Sequence, residues 1–219
     1  MPDYYENDVI VVKFGDEMLL LEGKSVRIAR IISRLTGAPL INLYVGIIMT
    51  VLAPQPTIGT VLDPILALGI CIVFMVILPI VPIIYQAYRG NVDLDVSSQN
   101  MRTQFFLFAI FFYIISFSIY YLFSSPLMYT LSVAYIGVTT GVMIANRETK
   151  VSVHTAGIAG PGTALIIVYG LIATPVIILW GAVIWSRMKL EQHTMIQGLI
   201  GVVIGVIITF PVYSLLYPF

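Results

Sequence analysis

Residues 103–123 read "TQFFLFAIFFYIISFSIYYLF" and carry no charged side chain. A bilayer's hydrocarbon core, about 30 Å thick, is crossed by roughly twenty helical residues rising 1.5 Å each. Arg102 heads this run and Ser124-Ser125-Pro126 closes it. Working outward, further apolar runs lie at roughly 38–54, 61–86, 126–145, 155–171, 172–187 and 194–216. The whole chain is 59% hydrophobic and 10% charged, far less charged than a soluble domain. Backbone groups in lipid must be satisfied within the spanning segment, and the alternation of a barrel strand is absent, so the runs are helices. The expected fold is an all-α polytopic membrane protein, a bundle of six to seven transmembrane helices. The fifth and sixth runs share only about 33 residues. They are therefore short helices, or one is re-entrant; seven segments are expected, with six as the alternative.

Residues 1–36 read as an N-terminal cytoplasmic cap followed by an interfacial amphipathic helix, and residues 37–219 as the transmembrane domain. Within the cap, "VIVVKF" (9–14) and "MLLLEG" (18–23) flank Gly15-Asp16 and predict a short hairpin. In "KSVRIARIISRL" (24–35), Arg27, Arg30 and Arg34 share one helical face. Ile28, Ile31, Ile32 and Leu35 fall largely on another, which suits a helix lying at the headgroups. The acidic start lacks the basic-then-apolar layout of a cleaved signal peptide. Cys71 is the single cysteine, so no disulfide forms within the chain.

The formal net charge is zero, yet the charges are not evenly placed. Lys13, Lys24, Arg27, Arg30 and Arg34 precede the first crossing. Arg89 and Arg102 flank the loop after the second, Arg147 and Lys150 follow the fourth, and Arg187 and Lys189 follow the sixth. Threading the segments places all eleven basic residues on one side. The opposite loops, "PQPTIG", "SSPL" and the "GLIAT" region, have none. Cytoplasmic loops collect Lys and Arg. A multi-pass protein of the cell membrane is expected, its basic face and N-terminus cytoplasmic and its C-terminus opposite.

Three polar loops should then meet on the basic face. The first, "RGNVDLDVSSQNMRTQ", carries Asp93, Asp95 and Arg102. The second, "NRETKVSVHTAG", carries Arg147, Glu148, Lys150, Ser152 and His154. The third, "WSRMKLEQHTMIQG", carries Ser186, Arg187, Lys189, Glu191, His193 and Gln197. Both histidines of the chain belong to this set. Guanidinium forks match phosphate oxygens and lysine adds a point charge. Imidazole serves as nucleophile, acid or base near neutral pH. His154 and His193 each stand where an apolar run begins, and a helix N-terminus favours an anion. Together these groups suit phosphoryl transfer. Taken singly, each cation reads as a topology signal, and each histidine as structural. Gln197 falls one turn beyond His193, where it can orient the imidazole. Asp93-x-Asp95 offers a competing reading as a Mg²⁺ site, but no later loop supplies a second acidic pair. Gly198, Gly201 and Gly205, with "HTAGIAGPG", have the spacing of close helix contact, which would bring the two histidine-bearing helices together.

Ser186-Arg187, five residues, then His193 resembles the third signature, Ser-Arg-x5-His-x3-Asp, of the type 2 phosphatidic acid phosphatase superfamily. Val151-Ser152-Val153-His154 resembles its second signature, Pro-Ser-Gly-His, and "KVSVHTAG" is similar to a variant in small prokaryotic members. Of the first signature, Lys-x6-Arg-Pro, Arg102 remains. The resemblance spans roughly residues 89–205 and implies a phosphatase-like domain over 37–219. It implies that His193 attacks phosphorus to form a phosphohistidine and that His154 protonates the leaving alcohol. Arg102, Arg187 and Ser152 would bind phosphate. No metal or other cofactor is implied, and the substrate would be a lipid phosphate or pyrophosphate, isoprenyl or phospholipid. Asp95 stands in place of the first-signature lysine, Thr103 in place of its proline, and Gln197 in place of the orienting aspartate. Lys150 is the candidate for the missing positive charge. Alternatives are a lipid phosphotransferase and a non-catalytic lipid-phosphate binding or transport protein. The expected partner is a lipid phosphate within the membrane and not a nucleic acid; homo-oligomers stay open.

Overall fold

The computed structural model describes residues 5–6, 9–10, 12–52 and 62–217. The "PQPTIG" loop expected on the far side lies outside the described residues. Nine α-helices follow a two-residue antiparallel pairing of β1 (Tyr5–Glu6) with β2 (Val9–Ile10) among the described residues. They are α1 (Lys24–Leu35), α2 (Ala38–Val51), α3 (Pro64–Cys71), α4 (Leu78–Tyr88), α5 (Arg102–Leu122), α6 (Pro126–Ala145), α7 (Val153–Tyr169), α8 (Val176–Lys189) and α9 (Met195–Leu216). α3 runs through a π-helical stretch, Ile72–Ile77, into α4. The chain is a multi-pass helical membrane protein. Among the described residues, five helical stretches are each long and apolar enough to cross, with a sixth if α1 and α2, bent by 55°, form one span. α2 and α8 have 14 residues each, about 21 Å of helix, and fall short of a bilayer alone.

Local chemistry sets the boundaries. Asp63 caps α3 by accepting from Ile65 N and Leu66 N at 2.9 and 3.2 Å, with Pro64 in the first turn. α5 ends in a tight turn where Ser124 adopts φ 50° and Ser125 N donates to Tyr120 O at 2.8 Å. Pro126 then opens α6. The π-helical stretch precedes Pro79, which has no N–H for the Met75 carbonyl four residues back. Asn42 of α2 supplies the donor instead, its Nδ2 lying 2.7 Å from Met75 O.

The predicted hairpin around Gly15-Asp16 does not form. Residues Gly15–Leu19 make a 3-10 turn, because their acids turn toward α1 instead of leaving Gly15-Asp16 at a strand turn. Asp16, fully buried, accepts from Arg30 Nε and Arg34 Nη2 at 2.8 Å each. Glu17 takes Arg34 Nη2 at 3.2 Å. Burial alone would raise the Asp16 pKa, but the two guanidinium hydrogen bonds and charges outweigh it and hold the carboxyl below its usual range. Two of the three α1 arginines expected at headgroups thus tie down the cap, and Arg34 stacks 3.4 Å over the Phe14 ring. Gly15 lies so close to Ser97, Gln192 and Asp93 that a Cβ would come within 2.8 Å of Gln192 Oε1.

α7 and α9 form the most extensive helix pair. A Cβ on Gly201 would collide with Thr155 Oγ1 and lie 2.7 Å from Ser152 O; one on Gly205 would lie 2.7 Å from Gly160 N. The expected glycine contact therefore joins the two histidine-bearing helices. α8 docks on α1 through Ser186 Oγ, which donates to Ala29 O at 2.7 Å. The main core packs Met49, Cys71, Met75, Tyr120, Leu131 and Tyr213 between the helices.

Candidate functional site

The three polar loops meet, as their hydrogen bonds show. Arg102, at the start of α5 and 3% exposed, donates through Nε to Val96 O and through Nη1 to Val151 O, both at 2.9 Å. Its Nη1 also lies 3.5 Å from Asn146 Oδ1. Asn146 Nδ2 donates to Gln99 O, and Gln99 Nε2 returns a short bond to Asn146 O. The loops between α4 and α5 and between α6 and α7 are stitched together by this exchange.

The third loop joins through Arg187, in the last turn of α8 and 2% exposed. Its Nη1 donates to Ser33 Oγ at 2.7 Å, and Nη1 and Nη2 both reach Asp95 Oδ2 at 3.2 Å. Nε is buried and has no hydrogen-bond partner among the described residues. The residue that stands where the resemblance expects a lysine is thus a carboxylate seated on the arginine fork. Asp93 accepts from Asp95 N at 2.9 Å and from Ser97 N at 3.0 Å, shaping the loop. Next to Asp95, Val96 adopts φ 47°, and Glu191, two residues before His193, adopts φ 55°. Left-handed backbone at non-glycine residues is strained, more so at a β-branched one. Here hydrogen bonds hold it: Val96 N to Asp93 O at 3.0 Å, and Gln192 N to Arg187 O at 3.0 Å.

His193 lies just before the N-cap of α9 and is 8% exposed. Its Nδ1 is 3.2 Å from both Lys150 O and Gln197 Oε1. Thr194 N–H donates to the same Gln197 Oε1 at 3.1 Å, which fixes the amide with its oxygen toward the ring. With two acceptors, Nδ1 carries the proton and Nε2 keeps its lone pair. Burial, then Arg187, Arg102 and Lys150, push the imidazole pKa down to about 3, against the opposing Gln197 bond. His193 is therefore a neutral ring at neutral pH, and its Nε2 has no hydrogen-bond partner among the described residues. Lys150 is lowered too, by burial and then by Arg102 and Arg187. Its ammonium has no partner among the described residues.

Ser152 is the N-cap of α7, its Oγ accepting from Thr155 N at 3.4 Å, and its own N–H donates to Gln197 O at 3.3 Å. His154 follows in the first turn, near Ser33 of α1. His154, Arg102 and Asp95 line a cavity of about 370 Å³, with Ser33 and Arg34 beside them. The cavity runs between α1, α2, α4, α5, α6 and α7, walled by Val76, Pro79, Phe106 and Val138. His193, Arg187, Lys150, Ser152 and Gln197 do not line it. The structure thus assembles all the candidate residues in one polar layer but divides them by their access to the cavity.

Some participants were absent from the sequence reading. Ser33, Asn146 and the carbonyls of Val96, Val151 and Lys150 have no local signal, because long-range packing brings them in. One role did have a signal: Thr194-x-x-Gln197 is a capping box, so Gln197 also serves the helix terminus. Among the described residues no three His, Cys, Asp or Glu side chains group as a metal site. No family model, curated protein or solved structure matches the chain.

Proposed function

We propose that the chain is a lipid-phosphate phosphatase of the cell membrane, working on its cytoplasmic face by phosphohistidine chemistry like that of the type 2 phosphatidic acid phosphatases. The observation that carries this reading is His193. Two oxygens hold its Nδ1–H, its Nε2 is left as a nucleophile, and Arg187, Arg102 and Lys150 surround it with positive charge. The phosphate enters by exchanging with Asp95 on the Arg187 fork. Nε2 of His193 attacks phosphorus, the bond from phosphorus to the lipid oxygen breaks, and His154 gives that oxygen its proton. Water then attacks the phosphohistidine, its proton passes to His154, and the P–N bond breaks to release inorganic phosphate.

Phosphate release from isoprenyl and diacylglycerol phosphates, assayed with and without chelator, tests the reading. Turnover should persist with chelator and vanish in His193→Ala; a His193→Ala protein as active as wild type would sink the mechanism.

A second reading, a lipid-phosphate binding or transport protein, draws on Asp95 occupying Arg187 and on His193 standing outside the cavity lining. Lipid-phosphate binding without turnover, equal in wild type and His193→Ala, would favour it.

A further inference from the structure

At its polar end the cavity is closed by the N-terminal cap, which the phosphate chemistry does not use. Phe14 of the cap, Arg34 of α1 and Leu94 of the loop between α4 and α5 line it there. The three are joined. The Arg34 guanidinium lies 3.4 Å over the Phe14 ring, and Leu94 N donates to the carbonyl of Lys13, next to Phe14, at 3.0 Å. Phe14 therefore bridges two walls of the cavity. Its backbone is fixed from behind: Phe14 N donates to Glu17 Oε2 at 3.0 Å, and Glu17 N donates to Phe14 O at 3.1 Å. Asp16, fully buried, holds Arg34 in place over the ring. Gly15 fits against Ser97 and Gln192 with no room for a Cβ. The strip from Lys13 to Glu17 is thus laid across α1, the α4–α5 loop and the α8–α9 loop. Tethering the chain needs only the ion pairs; it does not need an aromatic ring in the cavity wall.

Another side of the cavity has different surroundings. α2 packs on α3 and on the π-helical stretch, and α4 packs on α5, but among the described residues α2 and α4 make no extensive contact with each other. Leu40 of α2 and Ile80 and Ile83 of α4 line the cavity on either side of this gap, half-buried and without a polar group. Hydrocarbon is the solvent that suits such a gap.

We infer that the strip Lys13–Glu17 is a plug that closes the cavity to water through Phe14, so that the cavity is filled from the bilayer, between α2 and α4, by the chain of an amphiphile. The inference rests on the proposed function only for the phosphate head at the arginine layer. Lys150 is half-buried and outside the cavity lining, so water and inorganic phosphate need not pass the plug to reach that layer. The plug makes the protein select by membrane solubility. A chain dissolved in lipid enters the cavity, and one carried by water does not.

The test needs no turnover. Thr139 of α6 lines the cavity, and Cys71, the chain's own cysteine, is fully buried. The full chain carrying Thr139→Cys is placed in phosphatidylcholine nanodiscs. It is treated with 2-sulfonatoethyl methanethiosulfonate, which is small and confined to water, or with N-dodecylmaleimide dissolved in the lipid. Intact-protein mass spectrometry counts the adducts with time. The lipid-borne reagent should label the introduced thiol, and the water-borne one should lag. Adding Phe14→Ala should speed the water-borne reaction on the order of tenfold, the scale of one lost cation–π contact. Phe14→Trp should keep the lag, and neither change should alter the lipid-borne rate. A water-borne rate that is the same with and without the Phe14 ring overturns the plug. A second adduct, at Cys71, in the Phe14→Ala protein overturns it too, because the cap would then be holding the bundle together. Failure of the lipid-borne reagent to label overturns entry from the bilayer. The expected labelling in a protein that releases no phosphate overturns only the catalytic reading.

Discussion

Asp95 Oδ2 lies 3.2 Å from both terminal nitrogens of Arg187, with the two side chains 5% and 2% exposed. A buried pair of this kind contributes little net stability, yet breaking it strands a charge at a cost of about 3 kcal/mol. An oxyanion would satisfy the same fork. Asp95→Asn should therefore melt at a lower temperature in anion-free buffer. Adding phosphate or vanadate should restore it, by a larger shift than wild type shows. Thermal unfolding in detergent measures both; a variant indifferent to anions would separate Arg187 from phosphate binding.

His193 gives the protein a pH dependence of fixed sign. Its pKa is about 3 in the fold and about 6.5 when unfolded. Between these values the unfolded chain binds more protons, so His193's contribution to stability rises with pH and is complete above pH 6.5. The slope is at most about 1.4 kcal/mol per pH unit. Melting temperatures from pH 4 to 7 should show a limb that flattens in His193→Gln. Gln197→Glu should raise the His193 pKa by placing a carboxylate against Nδ1–H, read as a shifted imidazole titration by NMR. An unshifted titration would mean that Gln197 acts only in the capping box.

If His154 protonates the leaving oxygen, its loss should depend on what leaves. His154→Asn should slow hydrolysis of an alkyl phosphate by about a hundred- to ten-thousandfold. An aryl phosphate, whose phenolate needs no proton, should be far less affected. Equal losses on both substrates would assign His154 to binding.

Gly201 is packed against Thr155 Oγ1 and lies where a Cβ would be 2.7 Å from Ser152 O. Gly201→Ala should force α7 and α9 apart, destabilise the protein by about 1–3 kcal/mol, and reduce turnover with it. Gly181→Ala, where nothing lies within 4 Å of the new carbon, is the control and should leave both in place.

The sequence carried most of the architecture because lipid leaves the chain little choice. The charge-free run at 103–123 could only be a spanning helix, and α5 covers Arg102–Leu122. Gly201 and Gly205 announced the α7–α9 contact through their spacing. The clustering of basic loops foretold that Arg102, Arg187 and His193 would lie near one another. What was not legible depends on partners distant in sequence. Nothing local tells that Asp16 will turn into Arg30 and Arg34 instead of closing a hairpin. The pairing of Asp95 with Arg187 spans 92 positions. The count of crossings was also hard to read, since α2 and α8 are apolar enough but too short, and composition reports apolarity more directly than where a helix ends.

The contacts of α8 carry a consequence for biosynthesis. Ala29 O, Ser33 and Asp95 find their partners in Ser186 and Arg187. Gly15 nests against Gln192 as well as Ser97 and Asp93. A ribosome delivers those partners only after more than four-fifths of the 219 residues have been made. Until then the amino-terminal half holds the Asp95 carboxylate and Ser33 without their cation, at the surface of an unfinished bundle. The polar layer around Arg187 is accordingly among the last parts of the molecule to close. A nascent chain stalled before α8 would hold its helices in lipid with Asp95 and Ser33 lacking Arg187.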